Sequence, residues 1–205
     1  MSSSATPTRI AVIGHQSADP EGVAQAIPDT FSVSVAYADQ LNYEFPEFAA
    51  VVLAISAYEG APNSLIDVWN ELAELLIPRA IVITKIEHED ADFDEAVLIA
   101  RRMFGEGVTP YLVLHSDAGD PIALIDLQSL EIIDYSTSPA TTRASDPEHE
   151  ELVHDFRQEY LEQTSEMDEG AFAAGIIFPA IPINLIKGIG VDVVQGYIDL
   201  LPSRS

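Results

Sequence analysis

Short apolar runs alternate with longer helical patterns over the first half of the chain. Continuous apolar runs at residues 10–13, 50–55 and 80–83 predict strands covered on both faces, whereas residues 31–37 alternate at period two and predict a strand near a sheet edge. Apolar spacing and end signals predict helices at residues 20–27, 62–76 and about 92–104. This strand–helix–strand rhythm is typical of a parallel sheet flanked by helices.

The second half of the chain interrupts that rhythm. Residues 111–115, 122–127 and 131–135 predict a small antiparallel meander, followed by a polar loop at 136–145 and an acidic amphipathic helix at 147–167. The strand pattern resumes at 176–181, and residues 191–201 predict a closing helix. We therefore expect an α/β fold with a mainly parallel sheet of about five or six strands. Residues 9–106 and 168–202 would form the core of a single domain, residues 107–167 a small inserted antiparallel subdomain, and residues 1–8 a flexible N-terminus.

Charge changes this picture by excluding classes of partner. The 205 residues include 34 Asp and Glu but only nine Lys and Arg, a formal net charge of −25. Such a chain is unsuited to nucleic-acid backbones and to anionic membranes, since both attract Lys and Arg. Zero cysteines exclude disulfides and thiol chemistry, and no apolar run is long enough to span a bilayer. With no signal-peptide pattern, we expect a soluble, cytoplasmic protein.

The turn after the first strand lies where nucleotide-binding α/β proteins hold phosphate. A phosphate loop needs glycines, a Lys and a hydroxyl residue, so that backbone N–H groups and the ammonium surround the anion. Starting from Gly14 and His15, this chain keeps only the first glycine of that pattern. Asp19 and Glu21 put negative charge where phosphate oxygens would lie, and Pro20 has no N–H to donate. A well-capped ordinary helix explains these residues better.

Several segments resemble the GTP-binding domain of translation elongation factor G. They comprise the strand and turn at 9–15, the Ser-Ala…Gly stretch at 56–60, Val-Trp at 68–69, Ile-Pro-Arg at 77–79, Thr-Lys-Ile-Glu at 84–87, the stretch at 122–127 and the closing helix at 188–202. The resemblance covers nearly the whole chain and implies the GTPase fold of that domain. We expect the domains that follow it in the full factor to be absent.

The resemblance implies a nucleotide site whose residues are largely altered. The family's Asn-Lys-x-Asp motif, which selects guanine, corresponds to Thr84, Lys85 and Glu87, with only the Lys kept. Its Ser-Ala base-contact loop corresponds to Asn184 and the leucine that follows. The Asp-x-x-Gly segment that holds magnesium has no match between residues 37 and 49, and the switch I region is absent before residue 31. Vestigial nucleotide binding would thus involve Gly14, His15, Thr84, Lys85, Glu87 and Asn184.

Other groups of residues give weaker indications of a functional site. The odd-position acids at 90–94 resemble a calcium loop but lack its glycine and final glutamate, so helix capping is the better interpretation. His149 and His154 are five residues apart rather than four and do not form a zincin motif. No metal site is predicted. An unrelated enzyme site formed by His15, Glu21 and Glu87 at the carboxyl ends of the strands remains open.

We therefore expect a degenerate, catalytically inactive GTPase-like protein that acts as a protein-interaction or regulatory module. No catalytic residues and no cofactor are expected. The alternative is a divergent GTP-binding protein related to translation factors, with residual binding of GTP or GDP and Mg²⁺. The partner would be a protein, favoured to be basic by the acidic surface, and the insert with its acidic helix would be the docking surface.

Overall fold

An all-parallel, five-stranded sheet forms the centre of the protein. The computed structural model describes residues 8–39, 45–105, 107–168 and 170–202. The sheet contains β1 (Arg9–Gly14), β2 (Ser32–Tyr37), β3 (Ala50–Ser56), β4 (Arg79–Thr84) and a short last strand, Ala180–Pro182, in the order β2-β1-β3-β4-last strand. Every residue of β3 and β4 is buried, as the continuous apolar runs predict. The edge position of β2 also agrees with its alternating pattern.

Helices flank this sheet in two contacting pairs. The first helix, α1 (Pro20–Ala26), contacts α6 (Val191–Asp199) where the Gln195 side chain donates to the Ala26 carbonyl at 3.0 Å. The other pair is α2 (Ser64–Glu74) and α3 (Phe93–Phe104), in which the Trp69 and Phe104 rings lie 5.2 Å apart. The predicted end signals of α3 are confirmed, since Asp92 caps its first turn and Gly105 follows its last.

A second, antiparallel sheet follows α3. It comprises β5 (Tyr111–His115), β6 (Pro121–Asp126), β7 (Glu131–Asp134) and β8 (Thr141–Ala144) in sequential order. Two helices come next, α4 (Pro147–Leu152) and α5 (His154–Thr164), before the last strand of the parallel sheet, β9 (Ala180–Pro182). The chain thus has the expected α/β fold with a separate antiparallel sheet. Val108 pairs with Pro179, which brings the two ends of this region together.

Four details of the sequence prediction are wrong. The segment 136–145 is not only a loop, because β8 pairs with β7 through its backbone even though its side chains are exposed. The acidic helix predicted at 147–167 is broken at Val153, which is buried between exposed neighbours and has a non-helical backbone. The last strand covers three residues rather than 176–181, since the chain turns before it. The helix predicted from 62 begins at Ser64 and ends at Glu74, leaving Leu75 and Leu76 exposed beyond it.

The domain boundaries drawn from the sequence stay a prediction, and residues 1–7 of the expected N-terminal segment lie outside the described residues. Within the described part of the chain, no helix combines the length and the apolar character needed to cross a membrane.

The buried cation of Arg79 joins α2, β4 and the segment before β9. Its side chain is 2% exposed and packs against two rings, with the guanidinium carbon 4.5 Å from the Trp69 centroid and 3.7 Å from the Phe178 centroid. Its Nη1 also donates to the carbonyls of Leu72 and Ile77. Burial lowers the pKa of Arg79 to about 10, so the charge persists at neutral pH. Ring faces and carbonyl oxygens supply the partial negative charge that stabilises it.

We expect Arg79→Ala to lower the free energy of unfolding by about 3 kcal/mol, because it leaves a cavity beside the two rings and removes two hydrogen bonds. Urea unfolding followed by circular dichroism measures this change. The exposed Arg102 on α3 is the matched control, and Arg102→Ala should stay within about 0.5 kcal/mol of wild type. Equal stability of the two variants would contradict the structural role of Arg79.

Candidate functional site

The predicted site residues lie at one edge of the parallel sheet. Gly14 ends β1, Thr84 ends β4 and Asn184 follows β9, so all three lie at the carboxyl ends of strands. The chain passes from β1 to β2 on one side and then to β3 on the other, which makes the gap between β1 and β3 the switch point of the sheet. Open α/β sheets bind ligands at such points.

The turn after β1 is short and tightly packed. A Cβ on Gly14 would lie 2.8 Å from the Ala54 carbonyl oxygen, so glycine is required by the close approach of β1 and β3. His15 then caps a 3-10 turn formed by residues 16–18, and its Nδ1 lies 2.9 Å from the Ser17 hydroxyl. The exposed His15 ring therefore has a local structural partner. Ala18, the last residue of the turn, is completely buried.

Asp19 occupies the N-terminus of α1 with its own carboxylate. Its backbone is left-handed, with φ of 50°, a conformation that Asp tolerates better than most residues. From there its Oδ1 accepts a hydrogen bond of 3.0 Å from the Gly22 N–H. Pro20 contributes no donor, and α1 is only seven residues long. The predicted capping role of Asp19 and Pro20 is confirmed, and the Gly22 donor is already used within the protein.

The Thr84 hydroxyl joins the end of β4 to this turn. Thr84 is 1% exposed, and its Oγ1 lies 2.9 Å from the Ala18 carbonyl oxygen and 3.2 Å from the Ile55 carbonyl oxygen. A hydroxyl between two carbonyls donates to them, so its hydrogen is used inside the protein. Thr84 thus fixes the position of the turn after β1 relative to β3 and β4.

Lys85 and Glu87 follow Thr84 in a tight turn. Lys85 has a left-handed backbone with φ of 60°, and its carbonyl accepts from the His88 N–H. Glu87 is half-buried, and its Oε2 is a buried oxygen with no hydrogen-bond partner among the described residues. A buried carboxylate oxygen without a donor is uncommon in a folded protein. At this edge of the sheet, Glu87 Oε2 is thus a buried acceptor that the described residues leave unpaired.

Asn184 acts within its own loop. It is 1% exposed, and its Oδ1 accepts hydrogen bonds of 3.0 Å from the N–H groups of both Ile186 and Lys187. The loop closes at Gly190, where a Cβ would lie 2.0 Å from the Pro182 carbonyl oxygen. The Asn184 carbonyl oxygen and its side-chain oxygen are therefore both used to shape the loop between β9 and α6.

Two side-chain contacts at this edge of the sheet cannot be predicted from the sequence. The Tyr37 hydroxyl at the end of β2 donates to Glu21 Oε1 at 2.7 Å, and this bond raises the pKa of Tyr37. The rings of Tyr58 and His88 stack at 3.8 Å between centroids, which links the loops after β3 and β4. Residue spacing predicts neither pair because each joins separate elements of the chain that are brought together only by the sheet. Glu21 and His15 are each engaged separately rather than as parts of a shared catalytic group.

The connection that corresponds to switch I, a magnesium-binding region of GTPases, is short in this chain. Residues 27–31 alone link α1 to β2, in agreement with the absence of a switch I region. An Asp-x-x-Gly segment would fall within residues 37–49, of which 40–44 lie outside the described residues. Ser56 instead ends β3 in a turn in which its hydroxyl accepts from the N–H groups of Tyr58 and Glu59.

Sequence comparison connects this chain to elongation factor G-like proteins. It is 29% identical over 163 residues to an "Elongation factor G-like protein" of Mycobacterium tuberculosis (strain ATCC 25618 / H37Rv), which covers 68% of this chain and 22% of the relative. A protein of the same description from Thermotoga maritima is 21% identical over 170 residues, with 72% of this chain and 24% of the relative covered. The chain thus spans less than a quarter of the length of these curated relatives.

A solved structure supports the fold. A crystal structure of a protein from Thermus thermophilus superposes with a TM-score of 0.74 and 20% identity, covering 96% of this chain and 40% of that one. No family model matches the chain. The sequence relatives therefore confirm the resemblance to elongation factor G that the sequence motifs indicate, and the solved structure supports the α/β fold.

We expect Thr84→Val to lower the free energy of unfolding by about 1–2 kcal/mol, because a methyl group replaces the hydroxyl that bonds the Ala18 carbonyl. Amide hydrogen exchange at residues 16–18 should accelerate in the same variant. Thr142, exposed on β8, offers the matched control, and Thr142→Val should leave exchange at that turn unchanged. Unaltered exchange in Thr84→Val would show that the hydroxyl does not hold the turn.

Proposed function

We propose that this chain is a catalytically inactive, GTPase-like module of the elongation factor G type that works by binding another protein. The observation that carries the proposal is the closed turn after β1. Asp19 occupies the Gly22 donor at the N-terminus of α1, while the buried Ala18 is bonded to Thr84. These groups stand where a nucleotide-binding relative would present free backbone donors to phosphate.

Charge supports the same proposal. Phosphoryl transfer depends on cations and backbone donors that neutralise the phosphate oxygens and position the attacking water. Here the turn carries Asp19, and the first turn of α1 carries Glu21, whose carboxylate is bonded to Tyr37. The phosphate-loop Lys has no counterpart between residues 14 and 21. Loss of one electrostatic element costs on the order of 10²–10³ in rate, and several are replaced together in this chain.

The partner surface in this proposal is the acidic region of α4 and α5. Glu148, Glu150, Glu151 and Asp155 are all exposed there, and so is the apolar side chain of Leu152, at 69%. Concentrated negative charge attracts a basic protein surface and is weakened by salt. A basic protein in the cytoplasm is therefore the partner we propose, and an interaction or regulatory role follows from it.

The alternative function, residual binding of a guanine nucleotide, rests on Glu87. Its Oε2 is buried and has no partner among the described residues, and it lies two residues after Lys85 in the segment that resembles the guanine-selecting motif. A carboxylate can accept two hydrogen bonds from the guanine base. This observation favours base recognition but supplies nothing for the phosphates.

Calorimetric titration of GTP and GDP in the presence of Mg²⁺ tests the proposal. We expect no saturable heat below about 1 mM nucleotide, since the free energy of phosphate binding is missing. Saturation in the micromolar range would overturn the inactive-module proposal. If binding is seen, Glu87→Gln distinguishes its origin: loss of binding would support the alternative, and unchanged binding would place the nucleotide elsewhere.

The partner surface is tested with a fluorescent poly-lysine peptide as a basic probe. Changing Glu148, Glu150 and Glu151 to Gln should weaken binding at least about threefold more than a triple neutralisation of Asp67, Glu71 and Glu74 on α2. Both triples remove three exposed carboxylates, so total charge is matched. Equal weakening by the two triples, or binding that is insensitive to salt, would remove α4 from the proposed interface.

A further inference from the structure

A groove between α3 and α5 lies apart from the edge described above. Each of the two helices lines it with side chains at positions i, i+3, i+4 and i+7, which form one stripe along a helix. On α3 the stripe runs from Asp94 to Arg101, and on α5 it runs from Phe156 to Gln163. Each stripe is about 10 Å long, so the groove offers a partner the length of about two helical turns.

The centre of this groove is apolar. It is lined by the buried side chains of Val97, Leu127 and Tyr160, and by Leu98 and Phe156, which are 52% and 45% exposed. Its volume is about 240 Å³. Small-molecule sites usually measure roughly 300–1,000 Å³. The groove therefore suits one large apolar side chain of a protein better than a whole small molecule.

The exposed apolar surface continues from the groove towards α4. Phe156 also lines a second, open depression, together with Leu152, which is 69% exposed. Leu98, Phe156 and Leu152 thus form one apolar surface that extends from α3 across α5 to α4. Continuous apolar surfaces on soluble proteins mark sites of interaction, because covering them removes apolar area from water.

Acidic side chains surround this apolar surface, and those that line it are Asp94, Glu150, Glu151, Asp155 and Glu159. The basic lining residues among the described part of the chain are His154 and Arg101, and Arg101 is already paired with Glu159 at 2.6 Å. An apolar surface with an acidic rim is complementary to an apolar segment flanked by Lys and Arg. The same rim repels a second copy of this acidic chain and an anionic membrane.

We propose that the groove binds an amphipathic helix of a basic partner protein, with two large apolar side chains at positions i and i+4 and Lys or Arg on either side of them. One apolar side chain enters the groove beside Leu98 and Phe156, and the other packs on Leu152. This inference rests on the proposed function, in which the chain binds a basic protein. It adds the apolar centre of that contact, which charge attraction alone does not supply.

The walls of the groove favour a helix over an extended segment. Both walls are helices, whose backbone groups are bonded within each helix, so the groove has no free strand edge to which an extended segment could add. A helix binds such a groove through a stripe of apolar side chains instead, and positions i and i+4 lie about 6 Å apart along its axis. Two such side chains therefore fit within the length of the groove.

Three labelled peptides of about 15 residues, followed by fluorescence anisotropy with the full chain, test this pattern. The first has Leu on one helical face and Lys on the other, the second has the same composition in scrambled order, and the third carries Glu in place of Lys. We expect the first to bind with a dissociation constant on the order of 10 μM and the other two at least about tenfold more weakly.

The peptides also separate this inference from the proposed function. Equal affinity of the patterned and scrambled Lys peptides would overturn the groove and leave the basic partner of the proposed function standing. Absence of binding by either Lys peptide would contradict both. Tighter binding of the Glu peptide would show that the acidic rim does not select the partner, and would overturn both as well.

Two pairs of substitutions that keep the net charge locate the contact. Leu98→Gln combined with Phe156→Gln removes the exposed apolar side chains of the groove. Leu75→Gln combined with Leu161→Gln is the matched control, because it removes two exposed apolar side chains that do not line the groove. We expect the first pair to weaken the patterned peptide at least about tenfold and the control pair less than about twofold. Equal effects of the two pairs would rule out the groove as the binding site.

Leu152 decides the matter if the variant at Leu98 and Phe156 does not fold. Its side chain is 69% exposed, so Leu152→Gln leaves the buried core intact. We expect this variant to weaken the patterned peptide about threefold, because the second apolar contact is lost, while Leu161→Gln alone leaves the affinity unchanged. Unchanged affinity in Leu152→Gln would contradict a contact with two apolar side chains.

Two measurements on the chain alone identify other occupants of the same surface. Analytical ultracentrifugation should show a monomer, and flotation with neutral phosphatidylcholine vesicles should leave the chain unbound. A dimer that Leu98→Gln dissociates would make a second copy the occupant, and vesicle binding that Leu98→Gln abolishes would make it a lipid surface. Either result would overturn the proposal of a partner helix.

Discussion

The Thr84 hydroxyl bond to the Ala18 carbonyl is the constraint on which the candidate site depends. It ties β4 to the turn after β1, and the bond is fully buried. With Ala18 held in place, Asp19 adopts its left-handed backbone and turns its carboxylate onto the Gly22 N–H. The Asp19 carboxylate thereby takes up a backbone donor that a phosphate-binding turn would leave free for its ligand, and the Thr84 hydroxyl fixes the turn that carries this carboxylate.

This closure gives the net charge of −25 a local meaning. Overall acidity predicts long-range repulsion of nucleic acid and anionic membranes. Asp19 and Glu21 act at short range, at the switch point of the sheet, where each already has a protein donor. The remaining acidic residues of α4 and α5 are solvent-exposed, which is the arrangement that a salt-sensitive interface with a basic protein requires.

The sequence predicts the parallel sheet well because its signals are local. Continuous apolar runs locate β3 and β4, and Asp19, Asp92 and Gly105 locate helix ends. Local sequence signals fail where tertiary contacts decide the secondary structure. The side chains of β8 are exposed, and this strand forms only because β7 offers a backbone edge with which it can pair. The break at Val153 likewise arises from burial of one side chain within an acidic helical pattern.

The candidate site shows the same division between local signals, which the sequence carries, and tertiary contacts, which it does not. Motif spacing places Gly14, Thr84, Lys85, Glu87 and Asn184 near the carboxyl ends of strands, and the structure puts them at that edge. Spacing cannot show that Thr84 bonds to a carbonyl 66 residues away, that Asn184 is used by its own loop, or that Glu87 keeps an unpaired oxygen. These properties depend on which backbone groups the fold brings within hydrogen-bond distance.

The most direct measurement is a site-resolved titration of the ¹⁵N-labelled protein with GDP and Mg²⁺. The amides of Ala18, Asp19, Gly22 and Thr84 report on the turn where phosphate would bind. If this turn is closed by its own side chains, these four resonances will stay unshifted at concentrations up to about 1 mM. Saturable shifts of the same four amides at micromolar GDP would contradict the account.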